Sequence, residues 1–248
     1  MSKNRIYGIS YTSRKFAYKY ESITQQGNEC GLFDEFKCFQ ENDIDEKFIK
    51  IHEKIWSDAR GGGWWIWKPY IIYKKLLQIK DNDILIYLDG GCTINITEKS
   101  KQRFNEYIEM VTKHDQGLLR FQLEHQERMF TNKVMFHYFH QRHNISLDTL
   151  DDFAKSRQFV GGILIMRKTP FVMDFYRKIM EMLKIDEYLF TDKYTEPNEL
   201  HRNDQSAQSL LYKVMNGTLF LEDETYFNDG FGSLQSQNFP FWATRTTL

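Results

Sequence analysis

A single α/β domain with a central, mostly parallel sheet flanked by helices is what this sequence predicts, on three observations. Short apolar, strand-like segments alternate along the chain with amphipathic helical stretches, as βαβ construction requires. One segment, 83–89, is apolar almost without interruption, the pattern of a strand buried on both faces. The 248 residues, 41% hydrophobic and 16% aromatic, suffice for one sizeable core. With only four prolines and fourteen glycines there is no linker-like stretch and no internal repeat, so the expected domain covers 1–248.

Each element has its own warrant. The segment RIYGISYT (5–12) alternates and is rich in strand formers, and polar residues 10–14 lead from it into a helix. A second strand is expected at EFKCF (35–39). Phe48, Ile51 and Ile55 then fall at helical spacing behind Asp43 or Asp45 as a cap. Pro69 suits the first turn of a helix, where its missing N–H costs nothing, and Ile72, Leu76 and Ile79 make that helix's apolar stripe. Phe104, Tyr107, Ile108 and Val111 place a helix over Glu98–Lys113, and a strand follows at 117–123. Residues 124–157 are polar and rich in aromatics; the stretch from Phe130 to Phe139 is either a packed helical face or a cover over a cleft. FVGGILIM (159–166) predicts another buried strand, whose adjacent glycines permit close approach of a backbone or a ligand. Val172, Phe175, Tyr176, Ile179 and Leu183 form a further helical face. Ala207, Leu210, Leu211 and Val214 form the last, capped by Asn203 or Asp204, before a short strand at 218–221.

Charge and composition narrow the function. Lys plus Arg number 33 against 34 Asp plus Glu, a formal net charge of −1, so there is no basic excess for gripping nucleic acid. The longest uncharged apolar stretch, 160–166, is far below a membrane span, and the N-terminus carries no secretory pattern. A soluble, cytoplasmic protein is expected, with Cys30, Cys38 and Cys92 as reduced thiols, since they lack the paired spacing of a zinc ribbon or redox couple. His125, His137, His140 and His143 likewise match no zinc pattern and are expected on an aromatic surface segment. The acidic run 222–224 predicts an exposed turn.

In open α/β sheets ligands bind beyond the carboxyl ends of the strands, which directs attention to residues 10–12, 89–92 and 124–127. Asp89 ends the most apolar strand and precedes two glycines, presenting a carboxylate beside exposed backbone. It fits a metal, a ribose hydroxyl, or simply a turn. The least generic stretch is DARGGGWWIWKP (58–69). Its glycines free the backbone, Arg60 and Lys68 flank it with positive charge, and its tryptophans form flat, water-excluding walls or core. Backbone N–H groups in such a loop before a helix suit a diphosphate, although neither a Walker loop nor the dinucleotide fingerprint is present.

Four motifs in order, RGGGWWIWKPY (60–70), DILIYLDGGC (83–92), QFVGGIL (158–164) and HRNDQS (201–206), resemble a group of small glycosyltransferases of GT-A (Rossmann-like) fold. Such enzymes occur in bacterial surface-polysaccharide loci and in large DNA viruses. The resemblance covers most of the chain, about residues 6–221, and implies a nucleotide-sugar donor, by default a UDP-sugar, a divalent metal (Mn²⁺ or Mg²⁺), and a glycan or glycolipid acceptor. Asp89 takes the first position of the family's Asp-x-Asp-like motif and so the metal-ligand role, while Gly91 stands where the second Asp would be. The resemblance places Tyr11 and Thr12 at the nucleobase and ribose. Asp58, Arg60 and Lys68 fall on the donor-side loop, and Gln158, Gly161 and Gly162 along the sugar and acceptor cleft. Asp204 takes the catalytic or acceptor-positioning place. By its company alone, His201 beside Arg202 is either a contact to the acceptor or a phosphate or a hydrogen-bonded loop residue.

The chemistry of such a set is general. Breaking the anomeric C–O bond builds negative charge on the nucleoside diphosphate, which a divalent ion with Arg60 and Lys68 would stabilise. An inverting transfer also needs a carboxylate to take the acceptor's proton, worth about 10²–10⁴ in rate, and Asp204 is the first choice; Glu124 and Glu127 are the alternatives, each equally readable as a plain solvated charge. Asp204 equally suits a helix cap. Two rivals remain: a non-catalytic carbohydrate-binding protein using Trp64, Trp65 and Trp67 as stacking platforms, and a hydrolase of nucleotide sugars with water as acceptor.

Overall fold

The structure is a computed structural model and describes residues 4–244. Its centre is a seven-stranded sheet built from β1 (Ile6–Tyr11), β2 (Glu35–Phe39), β3 (Ile84–Asp89), β5 (Leu118–Gln126), β6 (Arg157–Phe159), β7 (Ile163–Arg167) and β8 (Phe220–Glu222). The order is β2-β1-β3-β7-β5-β6, with β8 also on β5. Strands β1, β2 and β3 pair in parallel; β7 runs antiparallel to both β3 and β5, β6 antiparallel to β5, and β8 parallel to β5. All but β6 and β7 therefore point the same way, as the alternating pattern predicts. A separate two-stranded ribbon joins β4 (Thr93–Ile94) to β9 (Phe241–Trp242).

Strand β3 shows why the apolar run at 84–88 has no polar alternation. Leu85 and Tyr87 face one core with the helices Trp67–Gln78, Pro170–Ile185 and Asn203–Val214. Ile84, Ile86 and Leu88 face the other, with the helices Tyr20–Glu29 and Glu98–Lys113. Side chains alternate across a strand, so a sheet covered on both faces needs apolar residues at every position. The long 170–185 helix seats all five expected face residues in the core, and the 98–113 helix buries Phe104, Tyr107 and Val111. Phe130–Phe139 is not a cleft cover: Met135 and Phe139 pack in the core within the helix Lys133–His143.

Four expectations are corrected. The segment 159–166 is not one strand: β6 stops at Phe159 and β7 starts at Ile163, with Gly161 and Gly162 between them at the cavity described below. The helix carrying Phe48 and Ile55 breaks at His52, leaving Ile51 60% exposed; Asp45 does stand at its N-cap position but makes no side-chain capping hydrogen bond, and Asp43 lies outside it. Asp43 closes the preceding turn onto the Gln40 N–H, while Asp45 binds Tyr70 and Lys74. Neither Asn203 nor Asp204 caps the last helix, because both lie within it and its cap position is Arg202. Glu224 is not a free surface acid, since it grips Arg103 with both oxygens and accepts from the Tyr107 hydroxyl. The three cysteines are free and buried as expected, and burial pushes the Cys38 thiol up to about 11. No helix among the described residues is long and apolar enough to cross a membrane.

Because Phe175 is fully buried between the sheet and the last helix, Phe175→Ala should cost about 3–5 kcal/mol, read as a lowered urea midpoint; a loss below about 1 kcal/mol would show a loosely packed core there.

Candidate functional site

A cavity of about 510 Å³ opens at the ends of β1 and β3, within the range of small-molecule sites. Tyr11 and Asp89, paired in register, are the last residues of those two parallel strands. Trp67, packed on Tyr11 with ring centroids 3.7 Å apart and 19° between planes, continues the wall. Burial holds the Tyr11 hydroxyl well above its ordinary pKa, so it stays protonated.

The floor is a shared charge. Lys68, on the first turn of the 67–78 helix, is buried and places Nζ 3.2 Å from Asp89 Oδ1 and 3.0 Å from Asp204 Oδ2. Its remaining N–H donates to the Gly161 carbonyl at 3.2 Å, so all three ammonium hydrogens have acceptors. Asp89 Oδ1 also accepts from Tyr87 at 2.7 Å, and Asp204 Oδ2 from Gln208 at 3.1 Å. Exposure separates the two acids: the Asp89 side chain is 42% exposed, that of Asp204 only 6%.

Titration follows from this arrangement. Burial alone would strip the proton from Lys68, but Asp204 and Asp89 more than compensate and hold its pKa above the ordinary value. Asp204 is pushed up to about 6, because burial and the neighbouring Asp89 charge together outweigh Lys68. Burial, then Asp89, keep Tyr87 protonated and donating.

Around this floor Lys19, Arg60 and Arg202 add positive charge to the lining, against only Asp89 and Asp204, so with Lys68 the cavity is net cationic. Arg60 pairs with Asp192 and lies 4.7 Å over the Trp64 ring. Arg202 lies 3.5 Å over Phe130 and donates to Gln158 at 3.2 Å. Gly91 and Gly161 line the cavity. So does Gly162, where a Cβ would stand 2.7 Å from Asp89 Oδ2, so only glycine lets the strand pass the carboxylate.

Several residues expected at the site have other work. Asp58 does not line the cavity; it accepts from the Arg60 N–H and the Trp64 indole and braces the loop. Thr12 and Gln158 are buried behind the lining. His201 reaches the lining, but its Nε2 meets the Leu189 carbonyl at 2.9 Å and its Nδ1 accepts from the Asn132 N–H, a loop-holding role. Most amides of the glycine loop are already paired within it. The N–H groups of Gly62, Gly63 and Trp64 are spent on the Ala59, Asp58 and Arg60 carbonyls, and Gly62 is required because φ is 60° and a Cβ would meet Ser13 at 2.7 Å.

Sequence reasoning missed Tyr87, Lys19, Phe16 and Gln205, all at or behind the lining. Tyr87 was findable, since two residues along a strand share a face. It also missed that Glu127 is no solvated acid: it is fully buried, bound to Thr131, Gln158, Ser209 and Lys213. Glu124 lies outside the cavity lining.

The donor set does not fit a chelated divalent ion. No group of three or more His, Cys, Asp or Glu converges among the described residues. Of the two acids in the cavity, Asp204 is buried on Lys68, and Asp89 shares that ammonium and takes the Tyr87 hydroxyl on the same oxygen. The histidine cluster supplies no alternative.

No family model matches the chain, and no curated protein matches it. Among solved structures, it resembles a glycosyltransferase involved in glycosylation of the major capsid of PBCV-1, with TM-score 0.53 and 10% identity, over 98% of this chain and 95% of that one. Mouse xyloside xylosyltransferase 1 is more distant, with TM-score 0.46 and 11% identity over 89% and 73%. The likeness to the viral enzyme shows the fold: this chain has the mixed α/β, GT-A-type architecture expected from its sequence.

The raised Asp204 carboxyl has a sign-specific consequence. Between about 4, the unfolded value, and about 6, the folded chain holds more protons than the unfolded one, so its contribution to stability is largest at the acid end and declines as pH rises. Urea unfolding of wild type and Asp204→Asn across this window should show wild type losing ground as pH rises, by up to about 3 kcal/mol; a difference that grows with pH would contradict the assignment.

Proposed function

We propose that the chain, acting as one domain, is a glycosyltransferase that moves a sugar from a nucleoside diphosphate sugar to a hydroxyl of a glycan or glycolipid. UDP is the default nucleotide, by the motif resemblance. The observation that carries the reading is the net-cationic cavity at the strand ends with two carboxylates on its floor. The fold shared with the viral glycosyltransferase supports it.

The two charge zones suit the two halves of such a donor. The diphosphate lies toward Arg60, Arg202 and Lys19, and the sugar hydroxyls donate to the half-exposed Asp89. Trp67 and Tyr11 offer an aromatic edge to the nucleoside. In the transfer the acceptor oxygen forms a bond to the anomeric carbon as the anomeric C–O bond breaks. That bond's electron pair leaves on the diphosphate, where the arginines stabilise it. The acceptor's proton goes to Asp204, which at about 6 is ionised at neutral pH yet basic enough to accept it, with attack opposite the diphosphate and inversion. Of the three tryptophans a purely carbohydrate-binding protein would use as platforms, Trp67 is buried against Tyr11 and Trp64 is covered by Arg60, which leaves Trp65 alone on the cavity lining.

Calorimetric titration with nucleoside diphosphates should find one that binds with micromolar affinity; a folded protein that binds none would overturn the reading and favour carbohydrate binding. With a donor in hand, Asp204→Asn should retain nucleotide binding and lose about 10²–10⁴ in turnover, whereas turnover near wild type would leave Asp204 a structural partner of Lys68.

A further inference from the structure

We infer that the Lys68 ammonium stands in the place of the divalent cation, so that this chain binds and cleaves its donor without a metal. The inference rests on the proposed transferase reading and departs from the metal dependence that the motif resemblance implies. A metal in such a site gathers carboxylates at the end of the central strand and offsets their charge. Here a tethered cation already does so, with Asp89 at 3.2 Å and Asp204 at 3.0 Å on one nitrogen of a side chain only 4% exposed.

Three further observations agree. The ammonium is fully coordinated, its third hydrogen going to the Gly161 carbonyl, so it acts as a fixed structural charge. Gly91, the third residue of the Asp-Gly-Gly turn, brings no carboxylate to help a metal. Asp89 gives one of its two oxygens, Oδ1, to both Lys68 and Tyr87, which leaves Oδ2 as its one carboxylate oxygen facing the cavity. A divalent ion on Asp89 would also share that carboxylate with the Lys68 ammonium 3.2 Å from it, and the two like charges repel. Two carboxylates and one ammonium leave one net negative charge, suited to sugar hydroxyls rather than phosphate. The diphosphate is then left to Arg60 and Arg202, which do not leave with product. Lys68 is thus a positioning residue, acting through Asp89 and Asp204.

Two measurements test this. In wild type, the nucleoside diphosphate that binds should do so with affinity equal within about threefold in EDTA and in millimolar Mn²⁺. Tightening by about tenfold or more with Mn²⁺ would overturn the inference and leave the transferase reading standing. Binding of no nucleotide under either condition would overturn the transferase reading instead. Independently of any nucleotide, water-proton relaxation should detect no sub-millimolar Mn²⁺ site in wild type and a new one in Lys68→Ala, where the vacated space lies between two carboxylates; Asp89→Asn in that background should abolish it. A wild-type Mn²⁺ site removed by Asp89→Asn would overturn the inference even if Lys68→Ala does not fold.

Discussion

One buried ammonium holds the working end of this molecule together. Lys68 brings a helix start, the end of the central strand and the first turn of the last helix to a single point, because burying any one of the three charges alone would be prohibitive. Removing Lys68 would leave the buried Asp204 beside Asp89 without their shared counter-charge, a kind of loss that typically costs about 3–5 kcal/mol. The same constraint explains the Gly161 carbonyl on the third ammonium hydrogen and the Tyr87 hydroxyl on Asp89: a buried ion needs every hydrogen-bonding direction filled.

Backbone geometry follows from that point. The reversed strand β7 must pass directly behind Asp89, and the absence of a Cβ at Gly162 is what lets it. The interruption between β6 and β7 turns the Gly161 carbonyl toward Lys68. On the other wall, the left-handed glycine run spends its amides internally and serves to set Trp67 against Tyr11 and Lys68 under the sheet.

Much of this was legible in the sequence, for identifiable reasons. Strong periodicity placed the 98–113 and 170–185 helices, each of which buries one apolar face, and the unbroken apolar run placed the strand 84–89, which is covered on both faces. The motifs at 60–70, 83–92 and 201–206 pointed to the residues that meet at the cavity. Three things were hidden because they arise only on folding. A lysine after a tryptophan carries no mark of burial, and nothing local pairs it with residues 21 and 136 positions further along. Asp204 matched a helix cap, yet its partner is side-chain charge from another element. The glycines matched an anion loop, but amide pairing depends on the φ angles the chain adopts. Glu127 was likewise indistinguishable from a surface acid until Lys213 and Ser209 closed over it.

The central claim is that a fixed internal cation holds two acids for the sugar while the rim cations hold the diphosphate. A crystal structure with a nucleoside diphosphate sugar, grown in chelator, tests it most directly. The account predicts the diphosphate against Arg60 and Arg202, the sugar hydroxyls on Asp89, and the Lys68 ammonium still between Asp89 and Asp204. A donor bound elsewhere, or a diphosphate in direct contact with a Lys68 ammonium withdrawn from its carboxylates, would contradict it.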